Sequence, residues 1–378
     1  MKNNKSNEAF FALIRAGLWE HCEFQVSSFK IQGEVDWGEV YRLASEQSVL
    51  GLVLAGIDYL PNDQRLPKME LLQWIGEIQM LEQQNMAMNF FISVIVEKMR
   101  AEGIYTLLVK GQGVAQCYSK PLWRASGDVD LLLDKENYFK AIDFLTPLSS
   151  KAELQDKRNM AYGITIEPHI IELHSTLRCG LSRAMDKEID AIQKDTLAYN
   201  HVRIWKNEGV EVMIPAPNND VFFIFTHIIK HFYKGGIGLR QICDLSQLLW
   251  CYRDEMDSDL LLERLRRMKL YDEWRAFASF IVEYLGHPKD AMPLYSPDVK
   301  WKRKADRICL FVMKVGNFGH NRDNSYYSKY PYVIRKTISL CQRLGDLFHH
   351  ARIFPLDSLR FFPTLFFNGL KSALKGEG

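Results

Sequence analysis

The stretch LLVKGQGVAQCYSKPLWRASGDVDLLL, Leu107 to Leu133, decides how the chain reads. It opens with an apolar run ending in Lys110-Gly111-Gln112-Gly113 and closes with Arg124, then Gly127-Asp128-Val129-Asp130 leading into three leucines. A buried strand bordered by a glycine-bearing, cationic turn suits a phosphate, because bare glycine amides approach an anion closely. On the second strand, residues i and i+2 share a face, so Asp128 and Asp130 project together while Val129 and Leu131 point the other way. Paired carboxylates at a strand mouth form a clamp of the kind Mg²⁺ prefers, although solvated turn chemistry also produces the pattern.

Around this centre the periodicity changes twice. Upstream, helical spacing predicts helices over 8–22, from a cap at Asp36 with Val40, Leu43 and Ala44 inward, over Ser48–Leu60, and over Lys68 to about Arg100. Three methionines in 78–91 read as irregular core filling. From Gly103 the pattern becomes mixed: strand Ile104–Val109, short helix Val114–Tyr118, strand Asp128–Leu133 and amphipathic helix Lys135–Leu148. A polar loop follows, then β-rich 162–177, in which Pro168 marks a turn or an edge, and a closing strand or hairpin over Val202–Ile214. In the second half of 162–177, alternation places Ile170, Glu172 and His174 on one face. From Asn218 the chain is helical again, with Val221–Gly236, Leu239–Asp254 and amphipathic segments near 259–268, 273–285, 301–313 and 330–348. The expected architecture is α+β in three parts: an N-terminal helical lobe (1–100), an α/β core (101–215) and a C-terminal helical lobe (216–378).

Composition narrows the function classes. With 378 residues, 47% hydrophobic and 25% charged, this is an ordinary globular chain, and a net charge of +2 gives no global attraction to nucleic acid or membrane. Seven scattered cysteines without a CxxC pair favour reduced thiols over a disulfide framework or zinc site. No secretory signal and no membrane-spanning run is expected, so the cytoplasm is the expected compartment. The aromatic residues are not interleaved with a basic stripe, so no DNA partner is expected. The tail, residues 351–376, mixes bulky apolar residues with Arg352, Arg360, Lys371 and Lys375. Docking on the helical lobe is preferred there to an anionic membrane surface, because prolines interrupt it.

Asp128, Asp130 and Glu172 are the sharpest constellation, three carboxylates on neighbouring strands able to hold two divalent ions. Lys110 and Arg124 are the local cations, open either to a phosphate or to a salt bridge with the acids. His174 can orient Glu172, touch substrate, or be structural. In the C-terminal lobe, His227 and His231 share a helical face, as do Arg240 and Asp244 on the next helix; substrate contact and helix packing are equal readings there. HxxxH without an acidic base is weak evidence for zinc.

These residues carry a resemblance. Lys110-Gly111, a short helix, Arg124, Asp128-Val129-Asp130-Leu131-Leu132 and then Glu172-Leu173-His174 are similar to the bacterial nucleotidyltransferase-like proteins of the DNA-polymerase-β-type superfamily. The resemblance covers about residues 100–255. It implies a minimal nucleotidyltransferase fold, a mixed sheet flanked by helices, with an NTP bound above the sheet. It further implies Mg²⁺, two ions, on Asp128 and Asp130, with Glu172 as third ligand or general base. Phosphate contacts fall to Lys110, Gly111, Gln112, Gly113 and Arg124. His174, His227, His231, Arg240 and Asp244 become cleft candidates, the last through Lys230-His231 and Gly238-Leu239-Arg240-Gln241 preceding Asp244. One departure stands out: where the superfamily places Gly-Ser after its first strand, this chain has Gly111-Gln112-Gly113, without a hydroxyl. The implied activity is transfer of a nucleoside monophosphate from an NTP to an acceptor hydroxyl, a sugar or other small metabolite. The rivals are a catalytically silent nucleotide-binding or scaffold protein of the same fold, and an enzyme that modifies protein or RNA.

Overall fold

The computed structural model describes residues 4–19, 35–156, 160–198, 201–317 and 332–374. Helix α1 (Asn4–Leu18) buries Phe10, Leu13 and Ile14, and residues 20–22 of the expected helix lie outside the described residues. Helix α2 (Trp37–Glu46) starts where the side chain of Asp36 accepts the amide of Glu39 at 3.0 Å, satisfying one of the four unpaired donors at a helix start. Helix α3 (Leu50–Ile57) lies so close to α1 that a Cβ added at Gly56 would stand 2.1 Å from the carbonyl oxygen of Leu13.

The 34-residue α4 (Lys68–Ala101) buries Trp74, Ile78, Met88, Ile92 and Ile95 on one face. Only Met88 of the three methionines in 78–91 fills core; Met80 and Met86 are exposed, which corrects the core-filling expectation. The reason is angular: Met80 and Met86 fall outside the buried face that runs through Ile78, Asn85, Met88 and Ile92.

Strand β1 (Leu107–Leu108) pairs antiparallel with β2 (Val129–Leu132), which pairs parallel with β5 (His169–His174). Strands β4 (Ala161–Ile166) and β3 (Lys151–Asp156) complete the order β1-β2-β5-β4-β3 by antiparallel pairing. Thus 162–177 is a hairpin partner and a strand, turned at Pro168, and the polar stretch 151–156 is an edge strand that its composition did not announce. Helix α5 (Gly111–Ala115) follows β1 directly, and α6 (Lys135–Leu145) crosses over after β2. Helix α7 (Arg183–Ala198) leads to a separate two-stranded ribbon, β6 (Val202–Asn207) and β7 (Val210–Pro215). Gly113 is needed there for close approach, since a Cβ would come within 3.0 Å of Ile214.

The C-terminal helices are α8 (Pro217–Lys234), α9 (Leu239–Cys251), α10 (Ser258–Met268), α11 (Tyr271–Leu285), α12 (Val299–Val315), α13 (Tyr332–Ile353) and α14 (Pro355–Leu374). Their interior is continuous with that of α1–α3: Phe10, Trp19, Val53, Phe225, Phe277 and Phe311 belong to one buried cluster. Buried polar ties cross the same boundary. The indole of Trp19 donates to the Leu285 carbonyl at 2.6 Å, and Gln47 donates to Val312 while accepting the amide of Leu239. The two helical ends of the chain therefore interleave in one core. A second cluster lies under the sheet, where Val129, Leu131, Ile171 and Leu173 meet Met88, Ile92 and Tyr138. In the tail, Phe354 and Phe361 are buried against α8, at Phe232 and Tyr233, while Leu356 and Leu359 stay exposed. No helix among the described residues is long and apolar enough to cross a membrane.

Candidate active site

The alternation of β2 and β5 divides their side chains between the two faces of the sheet. Val129, Leu131, Ile171 and Leu173 enter the core beneath, leaving Asp130, Glu172 and His174 on the opposite face. The parallel register places Asp130 across from Glu172 and Leu132 across from His174. Nε2 of His174 then lies 2.7 Å from Asp130 Oδ1 and 3.0 Å from Glu172 Oε2. Both neighbours are acceptors, so the proton resides on Nε2 in this arrangement. Burial works against charging this imidazole, but the bonds to Asp130 and Glu172 outweigh it and raise its pKa above the usual histidine value.

Asp130 is buried and also receives the ammonium of Lys110 at 2.7 Å on the same oxygen. Its desolvation is overcome by Lys110 and His174, which hold its carboxyl far below the usual range. Desolvation likewise opposes the charge on Lys110, and Asp130 and Asp128 more than restore it, so that its pKa is raised. Lys110 adopts φ +59° and ψ −149°, a backbone region that costs a non-glycine residue about 1–3 kcal/mol. Gly111 follows at φ +44°. Such a conformation holds the lysine head over Asp130 between β1 and α5.

Asp128 stands exposed at the mouth of β2. The negative charge of Asp130 raises its pKa, partial desolvation adds to this, and Lys110 opposes both. One donor atom each from Asp130, Glu172 and His174 lie within 4.8 Å of one another, a spacing that can hold a metal ion; Asp128 lies outside this group. The donor set, two carboxylates and one imidazole, suits a divalent cation of the Mn²⁺ or Zn²⁺ kind as well as Mg²⁺.

Helix α8 walls the other side. The rings of His227 and His231 lie 4.4 Å apart. Burial, and then the charge of Lys110, keeps His227 neutral; burial and the charges of Lys230 and Lys110 take His231 down to about 3. Both rings feel the charge of Lys110, and among the described residues neither belongs to a group spaced to hold a metal ion.

Other expected phosphate contacts are committed elsewhere. Arg124 is buried, with Nε and Nη2 each 2.7 Å from the two oxygens of Asp244 and Nη1 on the carbonyl of Ala125. Tyr118 donates to the same Asp244 at 2.8 Å. The sequence left Arg124 open to a phosphate or to a salt bridge with acids, and Asp244 to the cleft or to helix packing; in the structure the two pair with each other. The Gln112 amide donates to Asn85 at 2.8 Å and faces α4, so its side chain is not presented to the basin. Arg240, by contrast, makes one hydrogen bond, to the carbonyl of Ala125, and leaves its buried Nε without a partner. Burial and then Arg124 lower its pKa, while Asp244 and Asp128 oppose the shift; its hydrogen bond to Ala125 ties this guanidinium to the loop that leads to Asp128.

Asn85 and Tyr118 were missed by the sequence reading. Asn85 is fully buried and donates to the carbonyls of Leu122 and Arg124, pinning the loop ahead of Asp128. Its signal was present: a polar residue seven positions after Ile78 and three before Met88, on the apolar face of α4.

A family described as uncharacterised nucleotidyltransferases matches residues 33–286, about two-thirds of the chain. The chain belongs to this family. No curated protein and no solved structure matches. For a nucleotidyltransferase-family chain the matched region spans β2, β5, α8 and α9, and so takes in every site residue described above.

Proposed function

We propose that this protein is a metal-dependent nucleotidyltransferase, of the DNA-polymerase-β type, that moves a nucleoside monophosphate from an NTP to an acceptor hydroxyl. The convergence of Asp130, Glu172 and His174 on adjacent strands of a family member carries the reading. Asp130 and Glu172 would hold the cation, with Asp128 at the mouth and His174 as a further donor. The bound ion supplies charge neutralisation for the triphosphate and for the transition state.

The chain's own groups do the rest. Lys110 and Arg240, the cations near Asp128, hold phosphate oxygens, and the Arg124–Asp244 pair fixes the loop that presents the acids. The acceptor oxygen attacks the α-phosphorus, a new P–O bond forms, the bond to the β-phosphate oxygen breaks, and pyrophosphate leaves. Glu172 takes the acceptor proton, while neutral His227 lines the acceptor side. A sugar or another small hydroxylic metabolite is the proposed acceptor, and the α/β segment 101–215 the catalytic unit.

The silent nucleotide-binding reading finds its support in the Lys110 ammonium lying directly on Asp130. Calorimetric titration of each NTP with and without Mg²⁺ or Mn²⁺ separates the two. Metal-dependent binding that is lost in Asp130→Ala, with pyrophosphate release on adding acceptor hydroxyls, is the expected result. Metal-independent binding that survives the substitution supports the silent alternative.

A further inference from the structure

The methionines on α4 are left unexplained by the active site. On the face of α4 turned away from the core, Met69, Leu72, Met80, Met86 and Phe90 are each between 52% and 77% exposed. With Gly76, whose Cβ position is open, and the exposed Gln83, they follow spacings of three and four along roughly 32 Å of helix, close to the seam pattern of a two-helix coiled coil. Single exposed apolar residues mean little, but a continuous stripe of this size marks an interaction surface.

We propose that this stripe is a homodimer interface in which α4 packs antiparallel against α4 of a second copy. The pattern is its own complement when reversed. About a two-fold axis at residues 79 and 80, Phe90 and Met69 meet as two large apolar groups, while Ala87 faces Leu72 and Gln83 faces the notch at Gly76, where a larger group meets a smaller one. Such self-complementarity is what a closed two-fold contact requires. The five side chains expose on the order of 600 Å² per copy, so a symmetric pair covers on the order of 1,200 Å², the lower range of a specific interface. Charge agrees with a like partner. Between Leu71 and Val96 the only charged residues are Glu77 and Glu82; this register sets them at the same level in the two copies, but both lie off the seam around the helix, and Glu77 accepts from Tyr41 at 2.8 Å. Methionine suits such a seam because its flexible thioether adapts to the opposing surface.

Sedimentation velocity on the full chain at micromolar concentration tests this. A dimer is expected, and Met80→Glu beside the two-fold axis should raise its dissociation constant at least about 100-fold, as for a central apolar anchor, with Phe90→Glu at the end of the seam raising it by less. Both positions are exposed, so the circular dichroism spectrum should be unchanged. Met80→Cys, in a Cys251→Ser background, should give an intermolecular bismaleimide cross-link because the residue lies near the two-fold axis. A wild-type monomer, a dimer indifferent to both glutamates, or a cross-link within one chain would each overturn the proposal, the last by assigning the stripe to another part of the same molecule.

Discussion

Arg124 and Asp244, 120 residues apart in sequence, form a two-pronged buried ion pair that ties the loop before Asp128 to helix α9. The pair fixes how the helical body and the sheet meet. Removing one partner leaves the other charge buried and uncompensated, which costs about 3–5 kcal/mol. Asp244→Ala is therefore expected to lower the unfolding free energy by about that amount in urea titration, with Asp244→Asn milder. An unchanged urea midpoint in the alanine variant would show that the pair contributes nothing.

Glu172→Gln separates the proposed base from the rest of the site. Turnover should fall by about 10²–10⁴-fold, the usual contribution of a positioned acid or base. Because the same carboxylate helps to hold the cation, metal-dependent NTP binding should weaken too, and steady-state kinetics would read a loss in kcat that exceeds the rise in KM for the nucleotide.

His174 makes the metal-free protein sensitive to alkali. Its folded pKa is raised above its unfolded value, so its contribution to stability is complete below about pH 6.5 and is lost as pH rises through the folded pKa. Unfolding in the presence of a chelator should show stability falling above pH 6.5, and His174→Gln should flatten that limb. A cation that uses Nε2 must displace its proton, so metal affinity should rise over the same range.

His287 acts on the acid side. It sits between Trp19 and Trp250 and shares a hydrogen bond with Ser246 at 3.1 Å, and burial takes its pKa down to about 4. Between pH 6.5 and 4 the unfolded chain binds a proton there that the folded chain does not, so stability falls with pH, by about 3 kcal/mol across the window. His287→Asn should remove most of that slope in denaturation measured at pH 7 and pH 4.5. An equal slope in both proteins would exonerate His287.

The acids were legible because strand alternation and the spacing of Asp128-Val129-Asp130 are local. Their strands follow from apolar runs whose partners need not be known. Arg124 was legible as a cation but not as the partner of Asp244, because nothing in the sequence between α5 and α9 records that approach. Strand β3 was hidden by its polar composition, with Lys151, Glu153, Gln155 and Asp156, at a sheet edge where pairing, not burial, decides the conformation. Met80 and Met86 misled for the opposite reason: composition suggested burial, while their angle around α4 excluded it.

The interleaving of α1–α3 with α8–α12 has a consequence for biosynthesis. Roughly 160 residues separate Ile57 from Pro217, so at about 5–20 residues per second the first three helices wait on the order of 10–30 s for the surfaces they bury against. During that interval Phe10, Leu13 and Val53 have no final shelter, and the nascent chain depends on whatever shields apolar helices at the ribosome exit. Truncation at either end uncovers the same buried faces, so neither helical end reaches its packed state before the other has been made.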